Sequence, residues 1–212
     1  MKHIMEDGME LMAAYGDLKA FFEEHRIVGR VIADIRPDCF DYMIQNLCDF
    51  TIEEVKEWSI ESGITTDGYV VLLFEDGDTL AVHFCGDGPI LLGFSAIKQE
   101  QLPQYDGTIY KLSTVFKHCI GRKIRQICFE KSEYKMEFDH ACGIDMSMDD
   151  DGIKDISFIL DDDTVLTAKG TLDFFDLEHT AGNGEDLKVP FTELLKELSE
   201  ETLHEVFDDE QA

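Results

Sequence analysis

The most pointed chemistry in this sequence lies in two His-x-Cys pairs, His83-Phe84-Cys85 and His140-Ala141-Cys142. Residues two apart on a strand share a face, so each pair would present an imidazole and a thiolate together, and four such ligands suit tetrahedral zinc. The competing reading is structural, because small cysteines are common core residues. Carboxylates offer a second chemistry. The run Ser147-Met148-Asp149-Asp150-Asp151-Gly152 approaches a calcium loop, but Ser147 and Phe158 stand where an EF-hand needs carboxylates. A looser divalent site among Asp149, Asp151, Asp161 and Asp163 would require two loops to converge; otherwise these are solvated acidic turns.

Basic and aromatic residues supply a third candidate. Arg30 and Arg122, with Tyr42 and Tyr134, occupy matching places in two similar stretches. Facing one another, the two guanidinium groups would clamp an anion; alternatively each closes its own stretch by pairing with a nearby acid. Nucleophilic chemistry has little support, since the chain has no G-x-S-x-G elbow, P-loop or H-E-x-x-H motif. His118 and Cys119 are adjacent and diverge on a helix, which argues against a dyad. His179, beside Glu178, reads as a surface histidine near a loop, with a base in a pocket as the less common alternative.

Positioning these residues falls to elements that occur twice. Leu18-Lys19-Ala20-Phe21-Phe22 precedes Gly29-Arg30-Val31-Ile32-Ala33-Asp34-Ile35, and Leu112-Ser113-Thr114-Val115-Phe116 precedes Gly121-Arg122-Lys123-Ile124-Arg125-Gln126-Ile127. Downstream, Asp41-Tyr42-Met43-Ile44 parallels Glu133-Tyr134-Lys135-Met136, and the segment Phe74 to Leu80 parallels Leu160 to Leu166. Four matches in one order predict a duplicated unit over 9–108 and 109–179, each copy a leading helix and about five mostly antiparallel strands, an α+β fold. Leu11, Tyr15, Leu18 and Phe22 fall on one helical face, and Gly29 and Gly121 serve as stops. Phe40, Tyr42 and Ile44 alternate as a half-buried strand does. Asp76-Gly77 predicts a tight turn between strands 70–74 and 79–84, repeated by 153–160 and 164–169, with further strands at 90–94 and 172–177. The first copy carries an inserted helix over 51–61, where Thr51 and Glu54 form a capping-box pattern. Residues 180–189 read as a flexible connector, 190–207 as an amphipathic helix capping the sheets, and 208–212 as a mobile acidic tail.

Composition sets the outer bounds. The chain has 212 residues, 44% of them hydrophobic, with only four prolines, enough for a real core. Six cysteines without a CxxC pair do not make a disulfide scaffold, and no apolar run reaches the length of a membrane span. The first residues resemble neither a secretory signal nor a transit peptide, so the expectation is a reduced, cytoplasmic protein. With 18 basic and 46 acidic side chains the formal charge is −28, which disfavours nucleic acid. The exception is a basic island of Lys111, Lys117, Arg122, Lys123, Arg125, Lys131 and Lys135, expected to pack beside acidic neighbours.

These features lead to a non-enzymatic acidic protein that docks a cationic protein partner, without a cofactor, through carboxylates including Asp149, Asp150, Asp151, Asp161, Asp162 and Asp163. Immunity proteins that block basic toxins are similar in charge alone. The alternative is an enzyme or small-ligand receptor with its site between the two copies.

Overall fold

The computed structural model describes residues 3–4, 10–11, 15–37, 50–60, 63–66, 69–85, 91–96, 112–131, 153–170 and 175–196. Over these it is a mixed fold of short helices and antiparallel sheets. A two-residue ribbon, β1 (His3–Ile4) with β2 (Glu10–Leu11), precedes helix α1 (Tyr15–Glu24). Leu11 is therefore in a strand opposite His3, not on the helix face where its spacing had placed it.

One sheet has the order β3 (Ile32–Pro37), β6 (Tyr69–Phe74), β7 (Thr79–Cys85), β8 (Leu91–Ser95). The other runs β9 (Ile124–Lys131), β10 (Ile153–Leu160), β11 (Val165–Gly170), β12 (Phe175–Thr180), and adds β5 (Gly63–Thr66) at the far edge. All neighbours are antiparallel. In sequence the single-turn helix α2 (Ile52–Val55) falls between β3 and β6 and the single-turn helix α3 (Leu112–Val115) between β8 and β9, and strand β4 (Ser59–Ile60) pairs with β13 (Val189–Pro190), which leads into α4 (Phe191–Leu195).

Local chemistry explains several boundaries. The Thr51 hydroxyl accepts the Glu54 N–H at 3.2 Å and the Glu54 carboxylate accepts the Thr51 N–H at 2.8 Å, a capping box at the start of α2. The helix ends at Val55, well short of the 51–61 span expected, because Trp58 and Phe191 draw the chain into the β4 and β13 pairing; the Phe191 N–H donates to the Trp58 carbonyl at 2.9 Å. Both main hairpins close in the same way. Phe74 N–H donates to Asp78 O at 2.9 Å and Gly77 N–H to Phe74 O at 2.9 Å; Leu160 N–H donates to Thr164 O at 2.8 Å and Asp163 N–H to Leu160 O at 3.2 Å. Gly77 and Asp163 hold the left-handed position of each turn, with φ of 85° and 68°. Within the span read as a connector, 180–189, β12 continues to Thr180, Gly184 N–H donates to Ala181 O at 2.8 Å, and Asp186 bridges back to Thr180.

The core draws on both sheets. Val70, Leu72 and Phe74 of β6 join Ile156, Phe158 and Leu160 of β10, together with Leu80, Val82, Phe94, Leu166 and Ala168, in one cluster of buried side chains. Phe158 and Phe74 are at most 1% exposed, so truncating either would open a large cavity. Leu18, Phe22, Val115, Phe191 and Leu194 from the helices, and Phe116 from the turn after α3, join it. Helix α4 is capped at Lys196, and the remainder of the expected capping helix, 197–207, lies outside the described residues, as does the expected strand at 40–44.

Candidate functional site

The two sheets meet where their first strands begin. Val31 bridges Lys123, and around that bridge Gly29 N–H donates to Ile124 O at 2.8 Å, Gly121 N–H to Ile32 O at 2.8 Å, Ile32 N–H to Arg122 O at 2.9 Å and Ile124 N–H to Arg30 O at 2.9 Å. Gly29 and Gly121 both take positive φ here, 98° and 75°, which turns the chain into each strand after its helix. Arg30 and Arg122 follow these glycines, and each reaches back to the hairpin of its own sheet. Arg30 binds Asp76 at 2.9 Å and Asp78 at 2.6 Å and lies 5.4 Å over the Phe74 ring, its side chain 13% exposed. Arg122 binds Asp162 at 3.0 Å and is half exposed. An anion at this crossing would have to displace those carboxylates. Tyr42 and Tyr134 lie outside the described residues.

The outer faces of the two sheets differ sharply. On the first sheet Val71, Leu73, Thr79, Ala81 and His83 are all buried, with Tyr69 packed at the margin. The His83 ring lies against Tyr69 with ring centroids 5.1 Å apart and the planes tilted by 40°. Cys85 ends β7, while His140 and Cys142 lie outside the described residues. Among the described residues no three His, Cys, Asp or Glu side chains stand together as a metal centre.

On the second sheet the outer face is polar and partly open. Cross-strand pairing aligns Glu130, Asp155, Lys169, Asp176 and Thr65 in one row across all five strands, and Cys128, Ser157, Thr167 and Glu178 in the next. Ser157 and Thr167 share a hydrogen bond at 3.0 Å, Thr65 donates to Asp176 at 2.5 Å, and Lys169 pairs with Glu178. Asp155 sits half-buried in the first of these rows. Burial pushes its carboxyl above the usual range, nearby Lys154 and Lys169 pull it down, and Glu130 and Glu178 add to the rise. Its Oδ1 is buried without a hydrogen-bond partner among the described residues. Four carboxylates thus share a face with Lys169, itself already held by Glu178.

At one end of this sheet stands the hairpin turn with Asp161, Asp162 and Asp163, all exposed. Arg122 engages Asp162 and Arg125 engages Asp163 at 2.6 Å, while Lys117 holds both oxygens of Glu193 at 2.8 Å. Members of the basic island are therefore committed to internal pairs. The turn bearing exposed Glu185 and Asp186 packs against the same hairpin, where a Cβ on Gly182 would come within 2.8 Å of Asp163 Cβ. Sequence spacing missed Glu185 and Asp186 because their approach depends on the turn at Ala181 to Gly184. Asp149, Asp150 and Asp151 lie outside the described residues.

His179 departs from its surface expectation. It is fully buried on β12, its ring 5.3 Å from Phe116 and 5.7 Å from His118. Cys119, next to His118 in the chain, is also buried, and burial pushes its thiol far above the ordinary value, which disfavours the reactive thiolate.

No family model matches the chain, and no curated protein or solved structure matches it at a significant level. No helix among the described residues is long and apolar enough to cross a membrane.

Proposed function

We propose that this chain is a non-enzymatic binding protein, built by duplication of one helix-and-sheet unit, that docks a cationic protein partner on the outer face of its second sheet and the adjoining acidic turns. The observation that carries the reading is the unequal treatment of corresponding faces. Positions 69, 71, 79, 81 and 83 of the first sheet correspond, through the hairpin match, to 155, 157, 165, 167 and 169 of the second. The first set is buried except for Tyr69, which is half-buried at the margin; the second leaves Asp155, Ser157, Thr167 and Lys169 in reach of solvent beside Glu130, Asp176 and Glu178. A covered face serves stability, whereas an open polar face with a carboxylate surplus favours encounter with a positive surface.

Several details support the duplication. The four hydrogen bonds at the crossing exchange in pairs when positions 92 residues apart are swapped. Strand order repeats, with β3, β6, β7, β8 matched by β9, β10, β11, β12. Each first strand carries a register shift at a corresponding place, Ala33 in one and Arg125 in the other. Arg30 with Asp76 corresponds to Arg122 with Asp162.

Charge adds to the case for docking. The described arginines and lysines are largely spent on internal pairs, yet the chain carries −28, so its uncompensated charge is carboxylate. Capture on the immobilised full chain at low salt, compared with an Asp176→Lys, Glu130→Lys variant, tests the proposal. Basic proteins retained by the wild type and released by salt should be lost from the variant; equal retention by both would remove this face from consideration.

A further inference from the structure

A third turn repeats the construction of the two main hairpins. Ala181 N–H donates to Glu185 O at 2.8 Å and Gly184 N–H to Ala181 O at 2.8 Å, the closure already seen from Phe74 to Asp78 and from Leu160 to Thr164. Gly184 takes the left-handed position with φ of 83°, where the other turns have Gly77 and Asp163. The preceding residue also plays one part in all three. Asp76 Oδ1 accepts the Asp78 N–H at 3.2 Å, Asp162 Oδ1 the Thr164 N–H at 3.1 Å, and Asn183 Oδ1 the Glu185 N–H at 3.1 Å. Two turns thus carry a carboxylate at that place and the third an amide. We propose that Asn183 is a self-modification site: it deamidates on the folded chain through attack by the Gly184 nitrogen, and its aspartyl product takes the place that Asp76 and Asp162 hold in the sister turns.

In the reaction the Gly184 backbone nitrogen attacks Asn183 Cγ and passes its proton to solvent; the new N–Cγ bond closes a cyclic imide as the Cγ–Nδ2 bond breaks and ammonia leaves. Water then adds to one of the two imide carbonyls and opens the ring, to aspartate or to isoaspartate. One water is consumed, one ammonia is released and no electrons change hands. The turn meets each requirement. Residues Gly182 to Asp186 are all exposed, so base and water reach them. Gly184 has no side chain to block ring closure, and the space where a Cβ would stand is open. The Glu185 N–H on Oδ1 polarises the amide carbonyl and is placed to hold the oxyanion that forms on attack. A single exposed hydrogen bond, Gly184 N–H to Ala181 O, holds the nucleophile back, and local opening of the turn frees it. Asp76-Gly77 has the same arrangement, but its carboxylate is engaged by Arg30 at 2.9 Å and is a poor electrophile. The other asparagine of the chain, Asn46, is followed by leucine, and a branched side chain on the attacking residue hinders closure. Conversion of Asn183 adds one negative charge to the formal −28, on a turn whose Gly182 lies close against Asp163.

The folded full-length chain and the free peptide Ala-Gly-Asn-Gly-Glu-Asp are incubated side by side at mildly alkaline pH, with peptide mapping that separates aspartyl from isoaspartyl products. Asn183 should convert ahead of Asn46, faster as the pH is raised, and no more than about tenfold slower than the free peptide, the factor that opening one exposed hydrogen bond costs. Conversion confined to the unfolded state would be slower by a factor of about 10³ or more. Protection beyond tenfold, earlier conversion of Asn46, or a rate that does not rise with pH would overturn the proposal. Asn183→Asp supplies the aspartyl product directly and should keep the thermal midpoint within about 2 °C of the wild type. A larger fall would show that the turn rejects the carboxylate and would overturn the assigned place of the product.

Discussion

Arg30 and Arg122 have the same neighbours in sequence and unequal surroundings in space. Arg30 is nearly enclosed by two carboxylates and the Phe74 ring, whereas Arg122 is half exposed with a single carboxylate. Exposed ion pairs contribute little after screening and side-chain entropy, while an enclosed guanidinium over an aromatic ring contributes more. Arg30→Ala should accordingly cost about 1–2 kcal/mol in urea denaturation, and Arg122→Ala less than about 1 kcal/mol. Equal losses would mean that the enclosure of Arg30 has no energetic consequence. At this scale the sequence was informative about partners close in the chain's internal similarity and silent about distant ones. The acid pairing of Arg30 and Arg122 follows from matching turns that display Asp76 and Asp162. The meeting of His118 with His179 does not, because nothing in local spacing says that a turn after one helix packs on a strand sixty or so residues later.

Among the elements, hairpins were the most legible because their signals are local. Asp76-Gly77 and the run Asp161 to Asp163 supply residues that tolerate the left-handed turn position, and the flanking strands were placed within a few residues. The capping box at Thr51 was equally clear, since both of its partners lie within four residues. Its helix length was not, because the β4 and β13 pairing that ends it joins segments far apart in sequence. The same holds for β5, which leaves the first half of the chain to pair with β12 at the edge of the second sheet. A prediction belongs here. Thr51→Ala removes the hydroxyl that accepts the Glu54 N–H and should cost about 1 kcal/mol by chemical denaturation, with Trp58 emission changing as α2 frays. The box also keeps Glu54 ionised: hydrogen bonds from the Thr51 backbone, then its side chain, hold that carboxyl below the usual range. Its contribution is complete above the unfolded value and lost as acid protonates the group. An unaltered denaturation midpoint in Thr51→Ala would show that tertiary pairing alone fixes this segment.

For the molecule as a whole, total charge was readable from composition, but its distribution over faces was not. The alternation of β10 announces one buried side, yet only the assembled sheets reveal that the other side of β6 is also covered while that of β10 remains partly open. That asymmetry is the centre of the account. It is tested most directly by titrating isotope-labelled full chain with a lysine- and arginine-rich peptide at low and high salt, and following amide shifts residue by residue. The account predicts saturable changes concentrated at Cys128, Glu130, Asp155, Ser157, Thr167, Asp176 and Glu178, reversed by salt. Changes spread evenly over the acidic surface, or centred on the first sheet, would contradict it.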